Sequence, residues 1–189
     1  MKITIVRHGR PASTDSGWIT SADLGSWIDA YNSSPLSDSS TPSEELREIA
    51  IASKVIMCST LRRSVESAEL LCKGQNVLQS DLFSEAQLPY ANWQKIKLPP
   101  GAWLVLFRIS WFLGYCNNSE SRKQVQVRAK QAAKKLIQLA ENHGNIIYIG
   151  HGIFNRFVAG ELIKNGWQGA RNPAGSYWGH TDYNKVESS

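Results

Sequence analysis

Three short runs, Ile3-Thr4-Ile5-Val6, Val55-Ile56-Met57-Cys58 and Ile146-Ile147-Tyr148-Ile149, are apolar or β-branched at nearly every position. A strand with one wet face alternates, whereas a strand with no polar face must be covered on both sides. Each run is followed by a helical pattern. Arg62 onward carries Val65, Ala68, Leu71 and Cys72, and Ile153 onward is amphipathic as far as Lys164. Strands of this kind alternating with helices predict an α/β fold: one domain over 1–189, a mostly parallel sheet with helices on both faces. A length of 189 residues suits one core, and 42 % hydrophobic against 20 % charged residues excludes a disordered chain.

Around these strands the spacing predicts a loop with one short helix within 11–43 and a helix opened by Ser43-Glu44-Glu45. A further short strand is expected near Val77, a loop over 81–92, and an apolar helix from Gly101 to Tyr115 behind Pro99-Pro100. A long basic helix from Ser121 and one or two final strands in 177–186 complete the reading. The Lys and Arg residues behind the net charge of +5 are dispersed, which suits an anionic small ligand and not a nucleic-acid stripe. Cys58, Cys72 and Cys116 form neither a C-x-x-C pair nor an even set, so no disulfide framework or zinc site is expected. The start MKITIV is no secretory signal, and the most apolar stretch is too short to span a bilayer. The expectation is a cytoplasmic protein without membrane association, cofactor or metal; its oligomeric state is left open.

Ligands of parallel sheets sit beyond the carboxyl ends of the strands. Two strands here end in histidine followed by glycine, Arg7-His8-Gly9 and Gly150-His151-Gly152, and the helix after a third opens with Arg62-Arg63. Arg7-His8 alone reads as a strand end facing water, and His151 alone as a capping or core histidine. Cations at a helix N-terminus are disfavoured unless an anion sits there. Together the three ends place basic groups along one edge, and the first turn of the helix after His151 adds backbone N–H groups for an anion.

The sequence resembles the histidine phosphatase superfamily, which includes the cofactor-dependent phosphoglycerate mutases. Arg7-His8-Gly9 is similar to its signature. Ser59-Thr60-Leu61-Arg62-Arg63-Ser64-Val65-Glu66-Ser67-Ala68 is similar to its S-x-L-x-R-A-x-Q-T-A segment, with Arg63 and not Arg62 in register. Pro35-Leu36-Ser37 resembles P-L-T, and Phe83-Ser84-Glu85 stands where the family has L-x-E. The resemblance implies a phosphoglycerate mutase-like fold and hydrolysis of a phosphorylated, anionic substrate. It makes His8 the nucleophile, with Arg7, Arg63 and His151 binding the phosphoryl group and Glu85 the proton donor. Asp81 is the nearest acidic competitor of Glu85, because Ala86-Gln87-Leu88-Pro89-Tyr90 departs from the family pattern. The alternatives are a mutase, which would re-deliver the phosphoryl group, and a phosphate-binding module without turnover.

Over about 86–120 the chain has room for a cap. Trp103, Arg108 and Trp111 would then meet the substrate's organic part, Arg108 reaching a second anionic group; the competing reading is a buried core helix. His143 is expected at a helix end, His180 in a polar surface turn, Arg128 on a solvated helix face, and Cys58 as a core thiol.

Overall fold

The computed structural model describes residues 1–12 and 17–185. Its main sheet has six strands: β1 (Lys2–Arg7), β3 (Val55–Cys58), β4 (Asn76–Gln79), β6 (Asn145–Gly150), β7 (Trp167–Gln168) and β8 (His180–Lys185). Their order is β4-β3-β6-β1-β8-β7. The first four run parallel, and β8 pairs antiparallel with β1 and with β7. β2 (Ile19–Thr20) and β5 (Lys97–Leu98) form a separate two-residue ladder.

The period-2 rule sorts the core. Ile3, Ile5, Val55, Met57, Ile146 and Tyr148 face one side, where α5 (Arg122–His143) and α6 (Gly152–Lys164) cover them. Val6, Ile56, Cys58, Ile147 and Ile149 face the other, beneath α2 (Glu44–Ile51) and α3 (Arg62–Leu71). Burial pushes the Cys58 thiol up to about 12, as an inert core thiol requires. Helix starts follow their caps: the Ser43 side chain accepts from Leu46 N–H, and Ser121 with Gln124 closes a capping box on α5.

A third, smaller cluster stands over the carboxyl edge. It joins α1 (Leu24–Ser33), α4 (Pro100–Phe112) and the intervening 88–98 segment around Leu24, Ala91, Trp103 and Phe107. The loop expected over 81–92 begins with a 3-10 turn, Asp81–Phe83. His180 is not in a turn: it opens β8, half-buried, 3.6 Å from Glu45. Val186 of the expected final strand lies outside the described residues. Among the described residues no helix is long and apolar enough to cross a membrane.

Candidate active site

Parallel pairing puts Arg7 opposite Gly150, so the two His-Gly ends leave the sheet side by side, and the His8 N–H donates to Gly150 C=O at 3.1 Å. The imidazole centroids of His8 and His151 lie 4.9 Å apart. His8 Nδ1 is 2.7 Å from its neighbour Gly9 C=O, and Arg63 Nε donates to His8 Nε2 at 3.1 Å. A carbonyl can only accept and a guanidinium can only donate, so both contacts require the same neutral tautomer, with the proton on Nδ1. Burial, then the Arg63 charge, push the His8 imidazole down to about 3, so it is neutral at physiological pH.

Gly9 is pinned on three sides. Ser67 Oγ accepts its N–H at 2.9 Å and donates to Arg63 C=O at 2.6 Å. A Cβ on Gly9 would come within 2.6 Å of the Trp178 indole, which only glycine avoids. Trp178 has φ +61°, its N–H donates to Arg7 C=O, and its indole N–H donates to Ser40 Oγ at 2.9 Å.

Arg63 is buried, and its remaining fork donates to Asn32 Oδ1 at 2.9 Å under the Tyr31 ring. Arg62 turns outward to Glu66 at 2.6 Å and to Ser33 C=O at 3.2 Å. Glu66 also accepts the Leu36 N–H at 2.6 Å, tying the Pro35-Leu36-Ser37 turn to α3. Arg7 donates to Gly175 C=O and lies 4.3 Å beneath the Tyr177 ring; its Nε is buried with no hydrogen-bond partner among the described residues.

His151 is placed differently from the expectation of direct phosphate contact. It is wholly buried behind His8 and its Nε2 meets Ser59 Oγ at 2.6 Å. Burial, then His8 and Arg63, hold it well below the ordinary histidine range. Ser59 Oγ also accepts the Leu61 N–H at 3.3 Å, which leaves it a second lone pair to accept a His151 Nε2–H.

Glu85 reaches the same cavity as His8, but by a route the spacing did not foresee. Its carboxylate accepts the N–H groups of Ile153 (3.2 Å) and Phe154 (2.8 Å), and its own neighbour's, Ala86, at 2.9 Å. The first turn of α6, expected to hold a ligand anion, therefore already binds this carboxylate. Asp81 also lines the cavity and accepts the Thr60 hydroxyl.

Arg128 is not on a solvated face. It pairs with Glu120 at 2.8 and 2.6 Å and donates to the carbonyls of Leu82 (3.0 Å), Ser84 (2.7 Å) and Glu85 (3.4 Å), fixing the strap that carries Glu85. The signal was in the sequence: Arg128 falls on the stripe of Val125, Ala129 and Ala132.

Trp103 and Trp111 are buried and do not line the cavity. Their indole N–H groups donate to Ile19 C=O (2.9 Å) and Glu120 C=O (2.7 Å), so they pack α4 down and meet no substrate. Arg108 does line it, but one terminal nitrogen donates to Ala86 C=O at 2.9 Å and the other is buried away from solvent. That second terminal nitrogen has no hydrogen-bond partner among the described residues.

The whole site opens into a cavity of about 940 Å³ containing Arg7, His8, Arg63 and Glu85. The model of the histidine phosphatase superfamily (branch 1) matches residues 3–187. The chain belongs to that superfamily. No curated protein sequence matches it. Among solved structures it is similar to a mycobacterial hydrolase (TM-score 0.58, 19% identity, 96% of this chain and 90% of that one). It is similar also to a mycobacterial glucosyl-3-phosphoglycerate phosphatase (0.54, 20%, 86% and 79%). A phosphoserine phosphatase variant from Entamoeba histolytica in complex with phosphoserine gives 0.54 and 16%, covering 96% and 89%. At these identities the likeness shows the fold, a phosphoglycerate mutase-like α/β domain.

Proposed function

We propose that this protein is a phosphatase that hydrolyses a phosphate monoester through a phosphohistidine on His8, without a metal. One observation carries the reading: the contacts of both His8 nitrogens select the neutral tautomer whose Nε2 lone pair points toward the Arg63 guanidinium. A neutral imidazole beside a fixed cation is an activated nucleophile next to a holder for phosphoryl oxygens.

In the proposed first step the phosphoryl oxygens take over the Arg63 N–H groups and free Nε2. The Nε2–P bond forms, the ester P–O bond breaks, and Glu85, entering this step as the carboxylic acid, gives its proton to the departing oxygen and is left as the carboxylate. Arg7 holds a second oxygen, and His151 turns from Ser59 to a third. In the second step Glu85 takes a proton from water as it attacks phosphorus, the N–P bond breaks, and inorganic phosphate leaves. The charge on the equatorial oxygens is met by guanidinium groups, so the scheme needs no divalent ion. Hydrolysis is favoured over mutase chemistry because the cavity mouth at Val105, Ile109 and Phe112 is exposed, giving water access to the intermediate.

The test is rapid-quench labelling with a phosphorylated substrate in EDTA. The expected result is an acid-labile, base-stable phosphoryl group on the protein, absent together with activity in His8→Ala. Substantial turnover by that variant, or turnover that needs a divalent ion, would overturn the scheme.

A further inference from the structure

A phosphoryl group fills only the Arg7–His8–Arg63 end of the 940 Å³ cavity, and the rest must hold the alcohol. Its walls come from two helices. On α4 the stripe Trp103, Phe107, Trp111 is buried in the protein. The neighbouring positions Leu104, Val105, Ile109 and Phe112 line the cavity instead. Val105, Ile109 and Phe112 are 62%, 56% and 43% exposed. A helix that faced only water there would carry polar residues. Opposite, one turn of α1 supplies Trp27 and Tyr31, stacked at 5.4 Å with rings 10° from parallel.

The charged wall residues offer little to a polar alcohol. Arg128 is spent on Glu120 and three carbonyls, and Arg108, with Nη2 on Ala86 C=O, keeps one terminal nitrogen unpaired among the described residues. Asp29 and Asp81 would repel a second anionic group. Between the α4 stripe and the Trp27–Tyr31 stack a sugar phosphate would set its hydroxyls against aliphatic and aromatic carbon, losing hydrogen bonds to water there, although Asn32, Ser84, Gln87 and Asn118 also line the cavity.

Resting on the phosphatase reading for the position of the phosphoryl group, we propose that the substrate is the phosphate monoester of an apolar alcohol. Its hydrocarbon or aromatic part lies between α1 and the exposed stripe of α4, and its hydration is what binding removes.

The probe is a series of n-alkylphosphonates from ethyl to hexyl, which bind but are not hydrolysed, with dissociation constants measured by calorimetry on the intact protein. Each added methylene that enters the cavity is expected to tighten binding by about fourfold. A polyhydroxylated phosphonate of equal length should bind no better than the ethyl compound. Ile109→Asp and Val105→Asp should flatten the series. Leu106→Asp, on an exposed position of α4 outside the cavity, should keep its slope and shows that a charge on this helix is tolerated.

A flat series in the wild type, or tighter binding of the hydroxylated analogue, would overturn the proposal. So would a flat series in a dimer that Ile109→Asp dissociates, which would give the stripe to a second copy of the chain. Because phosphonates are not turned over, the slope is read independently of catalysis. A steep series in a protein that hydrolyses no monoester would remove the phosphatase reading and leave the apolar subsite standing.

Discussion

Two neutral, buried histidines make this protein's stability fall as the solution becomes mildly acidic. In the unfolded chain each imidazole takes a proton near 6.5. In the folded protein His8 holds out to about 3, and His151 is kept neutral well below the ordinary range, burial being the main cause for both. The folded-state value is depressed, so the stabilisation is complete above pH 6.5 and is lost as pH drops below it, for His8 down to about 3. Between pH 7.5 and 5.5 the unfolded state gains nearly one proton per histidine that the folded state refuses, worth about 1.4 kcal/mol each and about 2.7 kcal/mol for the pair. Ordinary carboxylates remain ionised over this window, so acid protonation contributes little. Urea denaturation at half-unit pH intervals measures the effect, provided m stays constant. His8→Asn and His151→Asn should each remove about half of the pH dependence, whatever they do to stability at pH 7.5. If His8→Asn kept the full wild-type slope, the imidazole would be protonated in the folded protein and could not be the nucleophile described above.

Arg63→Ala should lower turnover at least ~10²-fold, as removal of a fixed donor to developing charge does, whereas Arg62→Ala, which breaks a partly exposed ion pair with Glu66 and an exposed hydrogen bond to Ser33 C=O, should leave turnover near wild type and cost on the order of 1 kcal/mol; the opposite ranking in steady-state kinetics would move the phosphate site by one residue. Glu85→Gln should slow alkyl esters at least ~10²-fold and p-nitrophenyl phosphate far less, because only the alkoxide needs the proton; if Asp81→Asn shows that pattern instead, the donor is Asp81. Trp103→Ala should destabilise the protein by ~3–5 kcal/mol in urea titration, with activity following the folded fraction, since its ring fills the buried base of the α1–α4 layer.

What could be read from the residues follows from the range of the forces involved. The apolar runs of β1, β3 and β6 and the serine caps of α2 and α5 are local signals, and each element formed within a residue or two of its expected limits. β2, β5 and β7 have two residues each, too few to show a period, and exist because tertiary contacts bring them together. β8, His-Thr-Asp-Tyr-Asn-Lys, falls where a final strand is expected, but its place beside β1 is hidden because only Tyr183 is fully buried, while Asp182 answers partners at the other end of the chain, Lys2 and Thr4. The choice of Arg63 over Arg62 rests on the resemblance to the family segment, and the helix keeps the two apart because one residue along it rotates a side chain by about 100°. The capture of the α6 N-terminus by Glu85 and the turning of Arg108 into the protein were not legible, since both depend on where the 82–92 segment crosses the edge of the sheet.

The wedge behind the nucleophile has a consequence for the order in which this molecule acquires its activity. Gly9 belongs to the first dozen residues, yet the indole that closes on it is Trp178, and the backbone that holds Arg7 is donated by the turn entering β8. Trp178 keeps its left-handed conformation at a cost on the order of 1–3 kcal/mol, which only the docked β8 can sustain. Loop closure between such distant segments is slow compared with helix formation or the pairing of local strands. During synthesis β3 and β4 can pair early, but β1 joins them only through β6 and His8 gains its frame only with β8, so on the proposed mechanism a ribosome-bound chain is silent until β8 has emerged. The same logic runs in reverse for damage: a single proteolytic nick between β7 and β8 would remove the frame of the proposed nucleophile before it unfolded the domain.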